Sequence, residues 1–90
     1  MWKILESRKA EKQLDKAPKR VIAKYEVWKA IVEQGGPIEL RNVKGFHDKS
    51  LRGDLSGFRS SRVGQKWRVI YQVIKNELYV IVEKINAHKY

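Results

Sequence analysis

The sequence predicts an α+β fold, in which a four-stranded, mainly antiparallel sheet carries an N-terminal helical hairpin on one face. Three observations lead to this prediction. In the first third of the chain apolar residues recur at helical spacing, whereas in the last third they alternate with polar residues as in strands. An irregular, glycine-containing segment separates the two regions. The predicted order is strand, helix, helix, strand, strand, strand, within one domain that spans residues 1–90.

The first strand and the first helix are short. Residues 2–6 form an apolar-biased run that is too brief for a helix and stops at Ser7, a suitable helix N-cap. Residues 8–16 are typical of a helix, with Ala10 and Leu14 on one face.

A second helix is predicted over residues 18–34, because Pro18 suits an early helical position. Its apolar residues recur at helical spacing: Val21, Ile22, Tyr25, Trp28, Ile31 and Val32. The helix is expected to end at residues 35–37, Gly-Gly-Pro, since glycine takes the left-handed cap conformation and proline cannot continue a helix. The two helices would form a hairpin whose apolar stripe covers the sheet.

A β-hairpin is predicted between residues 58 and 74, after a long irregular loop over residues 37–57 with room for a turn of helix. Gly64-Gln65 has the Gly-X pattern of a two-residue type II′ turn. Because side chains alternate along a strand, this turn determines which polar residues share a face. The residues expected together on one face are Arg59, Ser61 and Arg68.

The last strand is predicted over residues 78–85, after a turn at residues 75–77. Pairing with the preceding strand keeps the apolar residues of both strands on one face, which we assign to the helices. Glu83 is expected on the opposite face, together with Arg68.

The composition points to a polyanionic partner. Lys and Arg number 20 against 10 Asp and Glu, which gives a formal charge of +10 and favours nucleic acid as the ligand. The absence of cysteine suits a reducing cytoplasm, and no signal pattern or membrane-length apolar run indicates export or membrane insertion. The sequence contains no paired metal-binding motif, so a zinc site is not predicted. A basic surface without a specific ligand is the simpler alternative.

A candidate catalytic group combines the hairpin arginines with the end of the chain. The last strand is expected beside the strand that bears Arg68, so that His88, Lys89 and Tyr90 would come close to this guanidinium. Cleavage of RNA by its own 2′-hydroxyl needs a base, cations that stabilise the phosphorane, and an acid for the departing 5′-oxygen. Such a group could supply all three without a metal ion.

Each of these residues also has a purely structural interpretation. Arg68 can form an ion pair with Glu83 across the sheet. Arg59 and Arg62 can be solvated charges that protect a strand edge. His88 alone is weak support, because a single histidine near a terminus is usually a surface residue.

Three stretches carry a family resemblance: L-R-G-D-L-S-G-F at 51–58, W-R-V-I-Y-Q-V at 67–73 and H-K-Y at 88–90. With the order of elements, they resemble the RelE/ParE superfamily of toxins from type II toxin–antitoxin modules, nearest the RelE, YoeB and HigB-like branches. The resemblance implies a RelE-like fold and a ribosome-dependent mRNA endonuclease that enters the vacant A site and cleaves the codon by 2′-hydroxyl attack. No small-molecule cofactor and no membrane association are expected.

The resemblance also implies roles for individual residues. Arg68 matches the arginine that stabilises the transition state, and Arg59 falls where such enzymes place a basic residue at the start of the hairpin. His88 and Tyr90 resemble the C-terminal His and Tyr that act in acid–base and base-stacking roles. The residues expected to bind RNA are Arg62, Lys66, Lys89, Lys49 and Arg52.

The chain departs from the family pattern at the general base. Where YoeB-like members have a glutamate before the L-x-G motif, this chain has Lys49-Ser50, and a lysine typical of RelE falls at Ser61. The candidates that remain open for the base are His88, Tyr90 and Glu83.

Other functions are also open at this point. One is a ribosome-independent ribonuclease of the same fold, another is a ParE-like DNA gyrase inhibitor without nuclease activity, and a third is a basic module that binds nucleic acid or a partner. For a toxin, the expected protein partner is an acidic or amphipathic antitoxin segment that folds onto the basic cleft or the helices.

Overall fold

A mixed five-stranded sheet forms the centre of the part of the chain that the structure describes. The computed structural model describes residues 1–74 and 79–87, apart from the side chains of Tyr79, Glu83 and Ala87. The strands lie in the order β1-β5-β4-β3-β2. The bounds of the strands and α-helices are β1 Lys3–Glu6, α1 Arg8–Asp15, α2 Lys19–Gly35, β2 Lys49–Ser50, β3 Arg59–Arg62, β4 Trp67–Ile74 and β5 Tyr79–Ala87.

The predicted α+β class is confirmed, but the prediction of four strands is wrong. β2 adds a strand at the edge of the sheet and pairs antiparallel with β3. β1 pairs parallel with β5, whereas β3 with β4 and β4 with β5 are antiparallel. A two-residue strand is too short to show the alternating apolar pattern from which strands are predicted, so the sequence does not reveal β2.

The two helices pack on one face of the sheet, as predicted. Ser7 caps α1, since its Oγ accepts a hydrogen bond from the Ala10 N–H at 3.0 Å. α2 follows Pro18 and buries one stripe of side chains: Val21, Tyr25, Trp28 and Val32. This stripe belongs to the same core as the inward-facing residues of β4 and β5, Val69, Tyr71, Val80, Val82 and Ile85. Full burial of an aliphatic or aromatic side chain stabilises a fold by about 1.5–3 kcal/mol, so this core is the main source of stability.

The segment between α2 and β3 is irregular, as predicted, but it is anchored. It contains the 3-10 helices Pro37–Asn42, Lys44–Phe46 and Gly53–Leu55. Leu40 and Phe46 are fully buried in the core. The Leu51 N–H donates to the Phe58 carbonyl at 2.9 Å, which closes residues 51–58 into a loop between β2 and β3. We call this segment the 51–58 loop.

The turn between β3 and β4 has three residues rather than the predicted two. The Val63 N–H donates to the Trp67 carbonyl at 2.9 Å, which leaves residues 64–66 as the turn. Gly64 lacks the positive φ of a type II′ turn. It is needed instead for close packing, because a Cβ at this position would lie 2.9 Å from Val21 Cγ2 on α2.

One extra residue in this turn reverses the face of every β3 side chain relative to β4. Ser61 lies opposite Val69, and Arg59 lies opposite Tyr71. The prediction that Arg59 and Ser61 share a face with Arg68 is therefore wrong. Both lie on the face that the helices cover.

A bulge shifts the pairing of β4 with β5. Ile70 is opposite Lys84, whereas the next residue of β4 is opposite Val82, so the register skips Glu83. Residues of β5 after the bulge therefore change face relative to a regular strand. Those that take the face of Ile70 are Lys84 and Asn86.

Two sequence predictions concern the start and end of β5. The turn predicted at residues 75–77 and the predicted strand start at Leu78 lie outside the described residues. β5 is described from Tyr79 and continues past the predicted end at Ile85 to Ala87.

One side-chain hydrogen bond links β5 to α1 past the last residue that pairs with β1. The Ile85 N–H donates to Gln13 Oε1 at 2.7 Å. Across the described ranges, none of the helices combines the length and apolar character needed to cross a bilayer.

Replacing Gly36 by Ala is expected to lower the free energy of unfolding by about 2–4 kcal/mol, measured by urea denaturation. Gly36 has φ 87° and ψ 167°, a conformation essentially restricted to glycine. An added Cβ would also lie 2.7 Å from Trp2 Nε1. Gly53→Ala is the matched control, because Gly53 has φ 68° but no atom within 4 Å of the added Cβ. The control should lose about 1–2 kcal/mol. Equal losses in the two variants would contradict the contact with Trp2.

Candidate active-site cleft

A cleft of about 350 Å³ opens on the sheet face that lies opposite the helices. Strands β2 to β5 and the 51–58 loop contribute to it. Its described lining carries three cationic side chains and no carboxylate: Lys49, Leu51, Leu55, Ser60, Arg68, Ile70, Lys84 and Asn86. We call this site the cationic cleft. A concave surface with charge of one sign raises the local concentration of oppositely charged ligands, so the cleft favours an anion.

The sheet register brings the polar residues of the cationic cleft together. Arg68 lies opposite Asn86 in the β4–β5 ladder. Ile70 lies opposite Lys84 on one side and Ser60 on the other. Directly opposite residues have Cβ atoms about 4.5–5.5 Å apart, so these side chains start from adjacent positions on one face. The prediction that the last strand runs beside Arg68 is confirmed.

The 51–58 loop supplies an apolar wall to the cationic cleft. Leu55 is 39% exposed and Leu51 is half-buried, and both line the cleft. Lys49 at the start of β2 adds a cation on the same side. The combination of an apolar wall with cationic side chains accommodates a ligand that joins an anionic group to a flat apolar surface.

Three polar residues of the cationic cleft were assigned no role from the sequence: Ser60, Lys84 and Asn86. The face of Ser60 depends on the length of the β3–β4 turn, and the faces of Lys84 and Asn86 depend on the bulge in β5. A three-residue turn is an alternative to the two-residue turn whenever glycine begins it, so the face of Ser60 was open to prediction. No sequence signal marks the bulge in β5.

A buried carboxylate, Asp48, fixes the base of the 51–58 loop to the sheet. The Asp48 side chain is fully buried, and Arg59 binds its Oδ1 through Nε at 2.8 Å and through a terminal nitrogen at 2.6 Å. The other terminal nitrogen of Arg59 donates to Ser50 Oγ at 2.7 Å. Asp48 Oδ2 accepts hydrogen bonds from Ser61 Oγ at 2.6 Å and from the Tyr71 hydroxyl. Asp48 therefore accepts from three different side chains, which lie on two strands.

The same network reaches the helices through Ser61. Trp28 Nε1 donates to Ser61 Oγ at 2.9 Å, and both residues are fully buried. The Trp28 ring packs edge-on against Tyr71 with centroids 5.2 Å apart. We call the hydrogen-bonded set the Asp48 network; its members are Asp48, Ser50, Arg59, Ser61, Tyr71 and Trp28. A buried polar network with satisfied partners rigidifies the groups around it, here α2, the sheet and the 51–58 loop.

Electrostatics bind Arg59 to this network. Burial lowers the pKa of Arg59, but the hydrogen bond and charge of Asp48 more than offset this effect, so the pKa is raised. Burial, followed by the hydrogen bond and charge of Asp48, raises the pKa of Tyr71 well above its usual range. The contacts of Arg59 thus anchor the loop on the helix-covered face. Arg59 was predicted to share the opposite face with Arg68, and it does not.

The other predicted site residues are dispersed. Lys49 lines the cationic cleft, whereas Arg52 and Lys66 are exposed and outside the lining. Arg62 lies opposite Arg68 in the β3–β4 ladder, yet it lines a separate groove. The predicted site positions that lie outside the described part of the structure are the side chain of Glu83 and residues His88, Lys89 and Tyr90. Their roles stay predictions.

The fold is shared with solved toxin structures. YafQ from E. coli strain BL21(DE3) matches over 98% of this chain and 94% of its own length, with a TM-score of 0.77 and 19% identity. A YoeB/ParE toxin from Agrobacterium tumefaciens matches over 97% and 99%, with a TM-score of 0.77 and 16% identity. The archaeal RelE–RelB complex from Pyrococcus horikoshii OT3 matches over 96% and 93%, with a TM-score of 0.75 and 21% identity. The resemblance to the RelE/ParE superfamily is confirmed at the level of the fold.

Sequence comparison gives no such neighbours. No family model matches the chain, and no curated protein matches it in sequence.

Removing the Asp48 carboxylate is expected to destabilise the protein strongly. Asp48→Ala leaves the largely buried Arg59 without its counter-ion and two further donors without an acceptor. We expect the free energy of unfolding to fall by about 3–5 kcal/mol, measured by urea denaturation. Asp54→Ala is the matched control, because Asp54 is an exposed carboxylate within the 51–58 loop, and it should change stability by at most about 0.5 kcal/mol. Similar losses in both variants would contradict the role assigned to Asp48.

Stability is expected to fall above pH 10, in part because of Tyr25. Burial, followed by the hydrogen bond and charge of Glu6, raises the pKa of Tyr25 above its ordinary value of 10.0. The unfolded chain therefore loses this proton at lower pH than the folded chain, and stability drops by about 1.4 kcal/mol per pH unit above pH 10 for this group. In urea denaturation between pH 8 and 11, Tyr25→Phe should show a shallower decline than the wild type. Parallel declines would contradict the assignment.

Proposed function

With the fold shared by these toxins as the premise, we propose that this chain is the toxin of a type II toxin–antitoxin module and acts in the cytoplasm as a ribosome-dependent mRNA endonuclease. The observation that carries the proposal is the cationic cleft, where Lys49, Arg68 and Lys84 line one space without a carboxylate among the described lining residues. RNA joins repeated phosphates to flat bases. It therefore matches both the cations of the cleft and the apolar wall of the 51–58 loop.

The proposed reaction is an intramolecular transesterification, in which the 2′-oxygen replaces the 5′-oxygen of the next nucleotide on the phosphorus. The 2′-oxygen gives its proton to a base and attacks the phosphorus, the bond from phosphorus to the 5′-oxygen breaks, and the 5′-oxygen takes a proton from an acid. The products are a 2′,3′-cyclic phosphate and a free 5′-hydroxyl. Negative charge builds on the non-bridging oxygens of the phosphorane, which is where cationic side chains lower the barrier.

Arg68 is the proposed principal stabiliser of the phosphorane. It lines the cleft on β4, and Asn86 opposite it offers an amide that can donate a further hydrogen bond. Lys84, opposite Ile70, supplies a second cation from the same face, and Lys49 approaches from β2. A preorganised donor aimed at developing negative charge typically contributes about 10²–10³ in rate.

Proton transfer is proposed to involve the residues that follow β5. Asn86 lies opposite Arg68, and His88 comes two residues later in the sequence. Histidine is the side chain best suited to both accept and donate a proton near neutral pH. Tyr90 is proposed to act in acid–base chemistry or to stack on a base, and Glu83 is the alternative base.

The proposal includes an antitoxin as the protein partner. One structural neighbour, from Pyrococcus horikoshii, is a complex of RelE with RelB. The formal charge of +10 on this chain favours an acidic segment, which would become ordered on binding to the cationic cleft or the helices.

Substitution of Arg68, Lys84 or His88 is expected to slow cleavage strongly while the protein stays folded. Arg68→Ala and Lys84→Ala should each lower the rate about 10²-fold or more, because each removes a cation from the oxygens that gain charge. His88→Ala should lower it about 10²-fold by removing a proton-transfer group. Cut positions and rates are measured by primer extension on mRNA in translating ribosomes, and folding is checked by circular dichroism.

The matched control for these variants is Arg41→Ala, which removes an exposed cation from the 3-10 helix at residues 37–42, outside the cleft lining. It should retain wild-type cleavage and growth arrest. Full toxicity of both Arg68→Ala and His88→Ala would refute the site assignment.

The same assay separates this function from its rivals. Cuts that appear only with ribosomes support the proposal, whereas equal cleavage of naked RNA identifies a ribosome-independent ribonuclease. Intact mRNA with a DNA damage response identifies a gyrase inhibitor. Salt-sensitive binding to nucleic acid without cleavage products identifies a binding module.

A further inference from the structure

A second basic groove, of about 410 Å³, lies between the start of α2 and the β3–β4 turn. Three cations line it: Arg20 and Lys24 from α2, and Arg62 from β3. No carboxylate is among its described lining residues, and it shares none of them with the cationic cleft. We call this site the α2 groove.

Arg62 carries a donor that lacks an acceptor. Its Nε is buried and makes no hydrogen bond within the described part of the chain. By backbone register Arg62 lies opposite Arg68, but it lines the α2 groove and not the cationic cleft. A buried donor without an acceptor is costly, and an acceptor from a bound ligand would remove this cost.

Arg20 and Lys24 are held near this donor by α2. They lie one helical turn apart and therefore on the same side of the helix. The first turn of α2 contains no acidic residue, and Pro18 provides no side-chain cap, so the positive end of the helix dipole adds to the charge of Arg20, which lies in this turn. The Lys24 ammonium lies 5.0 Å from the centroid of the Phe46 ring, a cation–π contact that limits its freedom. No ion pair neutralises Arg20, Lys24 or Arg62 within the described ranges.

We propose that the α2 groove binds a backbone phosphate of RNA, distinct from the phosphate in the cationic cleft. Phosphate oxygens accept several charge-assisted hydrogen bonds and match the planar donor array of a guanidinium. Because RNA carries repeated phosphates, one RNA molecule can occupy both sites at once. A single acidic side chain cannot. The phosphate can come from the bound mRNA or from ribosomal RNA. The inference rests on the proposed function in taking RNA as the ligand, but it requires no cleavage.

The test compares two double variants that remove the same charge. Arg20→Gln/Lys24→Gln alters the α2 groove, whereas Lys12→Gln/Lys16→Gln removes two exposed cations with the same spacing at α1. Binding of a fluorescent, 2′-O-methylated RNA oligonucleotide, which cannot be cleaved by 2′-hydroxyl attack, is measured by anisotropy as a function of salt. We expect the groove variant to bind about tenfold more weakly. Its salt slope should fall by about 0.7, because the variant neutralises one phosphate fewer. The α1 variant should change affinity less than threefold.

The source of the phosphate is determined by repeating the comparison with purified ribosomes in a sedimentation assay. Loss of oligonucleotide binding by the groove variant assigns the phosphate to the mRNA strand, and loss of ribosome binding alone assigns it to ribosomal RNA. Both outcomes support the proposal. Equal losses in the two double variants would show a general charge effect and overturn it, as would wild-type binding by the groove variant to both ligands. Loss of binding to polyglutamate with unchanged RNA binding would overturn it in favour of an acidic protein ligand.

These results are independent of the nuclease assay. If the wild-type protein cleaves no RNA but the groove variant shows the expected loss of binding, the proposed reaction fails and the phosphate site stands. If cleavage occurs and the groove variant binds like the wild type, the phosphate site fails and the proposed reaction stands.

Discussion

The buried carboxylate of Asp48 ties together the parts of the molecule that surround the cationic cleft. It receives hydrogen bonds from Arg59 and Ser61 on β3 and from Tyr71 on β4, while Ser61 in turn accepts from Trp28 on α2. A buried ion pair adds little stability compared with apolar packing, but once present each partner depends on the other. The network therefore fixes where β2 and the 51–58 loop lie against the sheet, and with them one wall of the cleft.

The secondary structure could be predicted from the sequence because its signals are local. The spacing of Val21, Tyr25, Trp28 and Val32 marks the buried side of α2, and Ser7 marks the start of α1. The alternation along residues 67–74 marks β4, whose inward residues are in the core. These patterns are independent of the tertiary structure, which is why these elements and the helix-covered face were predicted correctly, whereas the two-residue β2 was not.

The composition of the site could be predicted only in part, because it depends on two single-residue features of the sheet. The extra turn residue moved Arg59 and Ser61 to the covered face, and the bulge placed Lys84 and Asn86 beside Ile70 and Arg68. Asp48 was missed because one acidic residue in an irregular segment gives no periodic signal. Arg68 was assigned to the correct face of the sheet, since alternation along β4 suffices for it.

The hydrogen bond between Leu51 and Phe58 closes the 51–58 loop at its base. The residues that flank the loop are held by the β2–β3 ladder and by the contact of Arg59 with Asp48. Its interior contributes Leu51 and Leu55 to the cleft but none of the residues of the main core. Side chains of this segment can therefore change the shape of the cleft wall without altering the main core.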